Sequence, residues 1–319
     1  MSDVKRSGDC WAVSDGRAGN ARQAAALACA LNRHDWDETV LVPRPPWSWY
    51  APRRLPGDRA AFGPVFSRQL HTPPALAIGC GRQAALATRL LRSRGSRVVQ
   101  ILDPRVSPRH WDLVIVPEHD RLRGSNVLPL VGSLNPIDED WLAAGRANFP
   151  ELGLLPGPRV ALLVGGPTRH VPWSRDDLAA LLDLLHALLA GGGSVLATVS
   201  RRTPPDVLLA LQARLRNLPS LVWRSEDDGP NPYAGLLGWA DAVVCSADSS
   251  NLLSEACATR VPVAAAFAHR ATGRLRGLVE ALRARDRLAP VEALLEQGDI
   301  SPLHETARIA ALVRQRLSL

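Results

Sequence analysis

Four loops hold residue types that bind anions or move protons, each placed after a short apolar run and before a helical pattern. In SDGRAGN, Gly16 and Gly19 allow close backbone approach, while Arg17 and Asn20 offer charge and amide donors and Asp15 is a candidate general base. In GGPTRH, Gly165 and Gly166 can expose main-chain donors, with Thr168, Arg169 and His170 beside them: a phosphate cradle without lysine. TVSRRTPPD brings Ser200, Arg201 and Arg202 to the next strand end, where a planar guanidinium fits phosphate oxygens bidentately; a solvated arginine pair is the plain alternative. The stretch from Asn231 to Phe267 reads helix, strand, Ser-rich turn, helix, strand. Asn231 and Tyr233 open it, and Asp248, Ser249, Ser250 and Asn251 stand where the second helix begins, a position whose dipole and unpaired N–H groups favour a diphosphate. Glu255, one turn further in, is of a type that accepts both ribose hydroxyls, whereas the charge of Asp248 opposes phosphate unless it caps the helix or turns away.

Other candidates carry less. His119 and Asp120 lie just past an apolar run and either could act as a base. GCGRQA (79–84) fits the GxGxxA dinucleotide pattern, with Asp103 about 20 residues on as that pattern asks. It does not follow the first strand, however, and Asp103 is followed by Pro104. The triplets DWD (35–37) and DED (138–140) resemble metal-binding DxD but follow no strand, so exposed charge is the better reading and no metal or other cofactor is expected. The segment from Pro43 to Arg59 interleaves Trp47, Trp49 and Tyr50 with Arg53 and Arg54; it can touch a membrane interface or pack on its own domain.

The elements that must position these loops alternate in the manner of βα units. Strands are expected at 10–14, 39–42, 75–79, 97–102 and 112–117, with helices at 20–31 and 82–93; a second series has strands at 159–166, 194–200, 221–224, 241–246 and 262–267 and helices at 174–190, 205–215 and 250–258. The Pro- and Gly-bracketed stretch 133–158 reads as a connector, giving domains 1–155 and 156–319, with the amphipathic basic helix at the end of the chain packing back on the first domain. A length of 319 residues and 46% apolar content suit two such domains.

Composition excludes several chemistries. Basic residues total 38, and Lys5 is the single lysine, so a P-loop or a Schiff-base site has no ammonium to use. The net charge of +7 favours anionic partners, but the arginines are dispersed and no nucleic-acid module is recognisable. Five cysteines without a CxxC pair read as reduced and buried, and no 18-residue apolar run or signal-like start is present, so a cytoplasmic protein is expected, peripheral to the membrane at most.

SDGRAGNARQ, DPR (103–105), WDLVIVPEHDRLRGSNV, GGPTRHVPW, TVSRRTPP, NPYAGLLGWAD and SADSSNLLSEACATRVPV together resemble, in order, the signatures of the mitochondrial-fission elongated-mitochondria (ELM) family, across residues 10 to 290. That family is similar in pattern to GT-B glycosyltransferases, notably the membrane-associated N-acetylglucosaminyltransferase of peptidoglycan synthesis. The resemblance implies two Rossmann-like doubly wound α/β domains facing a cleft and a nucleoside-diphosphate sugar on the second. VALLVGGPTR corresponds to a phosphate loop and Glu255 to the ribose-binding glutamate; the acceptor would be a lipid-linked or envelope glycan. Asn20 stands where the glycosyltransferases carry histidine, and Asp248 where they carry a small residue. A nucleotide-sugar epimerase or hydrolase on the same fold, or a non-catalytic adaptor at a membrane surface, are the alternatives.

Overall fold

The computed structural model describes residues 9–31 and 36–319. Lys5 and Asp35, both singled out above, lie outside them. The chain forms two compact units, Met1–Pro136 with Glu305–Leu319, and Ile137–His304.

In the first unit, β1 (Cys10–Ser14), α1 (Ala18–Ala30), β2 (Trp36–Val40), the single turn α2 (Trp47–Tyr50), α3 (Gly63–Gln69), β3 (Leu76–Cys80), α4 (Arg82–Arg92), β4 (Arg97–Ile101), β5 (Leu113–Pro117) and β6 (Val127–Leu130) follow one another. The strands make one parallel sheet in the order β2-β1-β3-β4-β5-β6. Alternation assigns its two faces: Cys10, Ala12, Leu76 and Ile78 enter one core with α1, while Trp11, Val13 and Ala77 enter the other with α4. The apolar run 39–42 predicts β2 too late; the ladder ends at Val40 and Val42 is exposed. Neither α2, α3 nor β6 is predicted. β6 carries Pro129, which supplies no ladder N–H, and it pairs only with β5 at the sheet edge.

The second unit runs α5 (Glu139–Asn148), β7 (Arg159–Val164), α6 (Arg175–Leu188), β8 (Ser194–Val199), α7 (Pro205–Leu215), β9 (Ser220–Trp223), α8 (Tyr233–Trp239), β10 (Ala242–Ser246), α9 (Ser250–Cys257), β11 (Val263–Ala266) and α10 (Gly273–Arg283). Its parallel sheet has the order β11-β10-β7-β8-β9. SRDD opens α6 as a capping box: Ser174 Oγ accepts the Asp177 amide at 3.2 Å and Asp177 returns to the Ser174 amide at 2.7 Å.

The division falls at residue 137 rather than 155. From Ile137 on, the stretch read as a connector belongs to the second unit, where α5 lies hard against α8. A Cβ on Gly145 would come within 2.4 Å of the Ala234 carbonyl, Arg146 donates to the Gly238 carbonyl at 3.0 Å and Trp239 to the Phe149 carbonyl at 2.9 Å. The last helix, α11 (Glu305–Leu317), returns to the first unit. It buries Ile309, Ala310, Val313 and Leu317 in the core of α1 and β6. Its start is pinned by Glu305 Oε2, which accepts the Val131 amide at 2.7 Å, and by Thr306 Oγ1, which bonds the Asn135 amide and carbonyl.

Candidate functional site

In each sheet the chain reverses its direction of strand addition once, between β1 and β3 and between β7 and β10. Loops at the carboxyl ends of such strand pairs diverge and leave a crevice where ligands of open α/β sheets collect. The residues singled out from the sequence fall largely on these ends.

At the second unit's reversal the polar groups are buried and bonded to one another. The Gly165 amide donates to Ser246 Oγ at 2.7 Å, and the Gly165 carbonyl accepts Thr203 Oγ1 at 2.6 Å. The Gly166 amide donates to Asp248 Oδ2 at 3.2 Å, and Arg202 Nη2 reaches the same oxygen at 2.8 Å. The Asp248 side chain is 0% exposed, and its Oδ1 has no hydrogen-bond partner. Asp248 therefore neither caps α9 nor turns away. It lies on the glycine pair, so closely that a Cβ on Gly165 would be 2.2 Å from Oδ2. This corrects the open cradle expected from the sequence: the Gly165 and Gly166 amides are taken by Ser246 and Asp248, two side chains that follow from β10. Gly166 is tight for a second reason, since a Cβ there would lie 2.3 Å from the Arg202 carbonyl.

Around this knot, Ser200 has a local task, its Oγ accepting the Arg202 amide at 3.1 Å. Arg201 is exposed and makes no carboxylate pair among the described residues. Ser249 caps α9 through the Leu252 amide at 3.4 Å. The amides of Ser250 and Asn251 at the same helix start enter none of the hydrogen bonds made by the described residues. Thr168 closes a turn by accepting the His170 and Val171 amides, Arg169 Nε donates to His170 Nε2 at 3.0 Å, and the His170 carbonyl accepts the Thr272 amide at 2.8 Å.

Glu255 is 1% exposed and its Oε2 accepts the Tyr233 hydroxyl at 2.6 Å. Tyr233 is set by an Asx turn, Asn231 Oδ1 accepting its amide at 3.0 Å, and by an edge-to-face contact with Trp141. The glutamate is thus closed off by tyrosine rather than presented to solvent. Trp141, Thr203 and Ser246 escape the sequence reading. A hydroxyl residue ending a buried strand, as in VVCS, is the signal that could have found Ser246.

At the first unit's reversal, Asp15 Oδ1 accepts Asn20 Nδ2 at 2.9 Å and the Arg17 amide at 3.4 Å, with Arg17 Nε 3.6 Å from Oδ2. Asn20 Oδ1 faces Cys80 Sγ at 3.7 Å, and a Cβ on Gly81 would meet Asn20 Nδ2 at 2.5 Å. Gly16 takes φ +76°, the conformation its turn requires, while the Gly19 carbonyl accepts Gln23. His119 and Asp120 follow β5. Burial holds the His119 imidazole below its usual pKa against the raising effect of Asp120 and Glu118, and its Nδ1 is buried without a partner. Burial pushes the Asp120 carboxyl up, opposed chiefly by His119. Asp103, the last element of the dinucleotide pattern, is turned onto its own loop, accepting the Arg105 amide at 2.7 Å.

Asp138 of DED caps α5 and Glu139 pairs with Arg260, so that triplet is structural. The aromatic-basic segment divides: Trp47 packs on its own core and donates to the Pro56 carbonyl, Arg54 pairs with Asp58, and Trp49 and Tyr50 are exposed together with Arg53. Four cysteines are free and buried as expected, with burial raising the thiols of Cys80, Cys245 and Cys257; Cys29 is free and exposed. Among the described residues no group of histidine, cysteine and carboxylate side chains has the makings of a metal site, and no helix is long and apolar enough to cross a membrane.

Two parallel, doubly wound α/β units in one chain define the GT-B class of fold. Solved structures agree. The chain is similar to a UDP-GlcNAc 2-epimerase from Methanocaldococcus jannaschii, with a TM-score of 0.55 at 13% identity over 96% of this chain and 99% of that one. It is similar to a glycosyltransferase from Rickettsia africae, with a TM-score of 0.51 at 12% identity over 97% and 93%. Within this class the chain belongs to the Mitochondrial fission ELM1 family, whose model matches residues 18–317. It is 32% identical to the mitochondrial fission protein ELM1 of Arabidopsis thaliana over 276 residues, 77% of this chain but 64% of the plant protein.

Proposed function

We propose that this protein is a glycosyltransferase using a nucleoside-diphosphate sugar, with the nucleotide held by the second unit. The observation that carries the reading is the seat at the β7/β10 reversal, where an anionic group, the Asp248 carboxylate, already rests on the Gly166 amide and the Arg202 guanidinium beside the start of α9. Such a seat stabilises a phosphate group and the charge that grows on a departing diphosphate. In this reading Arg202, Arg201 and the Ser250 and Asn251 amides hold the diphosphate, with Thr168, Arg169 and His170 on the neighbouring loop. Glu255 and Tyr233 receive the ribose. The positive charge comes from arginine and a helix start, so the mechanism asks for no metal. Asp15, His119 and Asp120 of the first unit are the candidates for deprotonating an acceptor hydroxyl, such as that of a lipid-linked or envelope glycan. Burial favours the unprotonated imidazole of His119, the form a general base needs. Trp49, Tyr50 and Arg53 are the exposed members of the segment proposed to meet a membrane surface.

A non-catalytic adaptor is the second reading, favoured by Asp248 on the Gly166 amide and by the closed Glu255–Tyr233 pair, which fill two of the expected ligand positions with the chain's own groups. A thermal-shift panel separates the two. UDP, GDP, ADP or TDP, or a sugar nucleotide derived from one of them, raises Tm at millimolar concentration if the transferase reading holds. A flat panel leaves the adaptor. Product analysis with the nucleotide sugar that binds then tells transfer from epimerisation or hydrolysis.

A further inference from the structure

Asp248 is the one fully buried carboxylate oxygen pair of the described crevice that has an unfilled hydrogen-bonding position. Its Oδ2 is held twice, by Gly166 and Arg202, and its Oδ1 not at all. A buried charge bonded on one side only is a weakly seated one, because the unpaired oxygen has lost water and gained nothing. The guanidinium that clamps it is half exposed and reaches in from solvent. Gly165 adds a geometric point: its missing Cβ makes the space in which the carboxylate lies, since a methyl there would overlap both carboxylate oxygens, at 2.2 and 2.4 Å.

We propose that Asp248 is the intramolecular competitor of the ligand's phosphate: the donor enters by exchanging its own oxygens for this carboxylate on Gly166 and Arg202, and Asp248 thereby sets which anions the site accepts and how tightly. The proposal rests on the nucleotide reading given above. Phosphate and carboxylate cannot share the seat, as two anions within contact distance of one amide repel and Arg202 presents one guanidinium edge to it. Carboxylate out and phosphate in keeps the amide and the guanidinium paired throughout, so the exchange strands no buried donor. Asp248 is then left to find solvent or another donor, and the affinity of the natural protein is lowered by that displacement. A nucleotide that offers a diphosphate supplies two anionic groups, one for Arg202 and the Gly166 amide and one for the α9 start, and displaces the carboxylate more readily than a nucleotide with one phosphate.

The test is calorimetric titration of UDP and of inorganic pyrophosphate into the wild-type protein, Asp248→Asn and Asp248→Ala, with thermal melts to show that each variant is folded. Asp248→Asn keeps the shape of the side chain and carries the test if the alanine variant does not fold. The expected result is binding about tenfold tighter, or more, in the uncharged variants, the gain of about one charge-assisted contact. Unchanged affinity overturns the proposal while leaving the nucleotide site in place. Weaker binding also overturns it, and makes Asp248 an acceptor for a ligand hydroxyl at its empty Oδ1. No heat with any of the three proteins overturns the proposal, while the nucleotide reading falls only if the wider panel of UDP, GDP, ADP and TDP compounds also leaves Tm unchanged, so the two failures are told apart.

Discussion

The two chain reversals share a topology and differ in what they keep dry. At β7/β10 a charged carboxylate is sealed against glycine amides and one guanidinium, with an oxygen left over. At β1/β3 the turn is closed by Asp15, Asn20 and Cys80, and Asp15 is 14% exposed. The first is a sealed charge with an unfilled hydrogen-bonding position, the second a mostly buried carboxylate bonded within its own turn. On the proposed function, this difference is why anion binding is assigned to the second unit and proton transfer, through His119 and Asp120, to the first.

The largest effect on this contrast is expected from deleting residues 305–319. Each of Ile309, Val313 and Leu317 contributes about 1.5–3 kcal/mol of burial, so the first unit should lose its fold while the second stays protected in hydrogen exchange. Equal loss of protection in both units would show that they are not independently stabilised. Next comes Gly166→Ala, which must move the Arg202 backbone and should cost about 2–3 kcal/mol in urea unfolding. The nearest atoms to a Gly165→Ala methyl all belong to the Asp248 side chain, so its cost, about 1–2 kcal/mol, should shrink in an Asp248→Ala background, while that of Gly166→Ala, which meets the Arg202 backbone, should not. Additive behaviour of Gly165→Ala with Asp248→Ala would break the account of the seat. In the first unit, Gly81→Ala combines a φ of +88° with a close approach to Asn20 and should cost about 1–2 kcal/mol.

The smallest effect is a titration. The His119 ring signals should shift with a midpoint below 6.5, and Asp120→Asn should move that midpoint lower still by removing a carboxylate that favours the imidazolium. The stability sign follows. A histidine whose folded pKa is depressed leaves stability intact above its unfolded value, about 6.5, and withdraws it as pH falls through the folded value. A midpoint above 6.5 would contradict the burial argument.

Much of the fold is legible in the sequence because the strands are continuous apolar runs and the helices carry local stops and starts, such as the Ser174–Asp177 box and Pro205. What escapes is set at long range. The stretch around α5 has the composition of a linker, yet Gly145 and Gly238 let it dock on α8, about 90 residues away in the chain, a match that no local pattern encodes. β6 is invisible because it is four residues long and includes Pro129. For the candidate site, the loops are legible as loops. The rotamer of Asp248 is not, since it depends on an amide 82 residues earlier and a guanidinium 46 residues earlier. The identity of Tyr233 as the partner of Glu255 likewise needs α8 and α9 to be packed first.

The central claim is that the nucleotide is held by the strand ends of the second unit. Hydrogen–deuterium exchange of the full chain, with and without the nucleotide that most raises Tm, tests it directly. The account predicts slowed exchange confined to the loops around 165–170, 200–203 and 248–255. Protection appearing instead around 15–20 and 118–121, with the second unit unchanged, would contradict it.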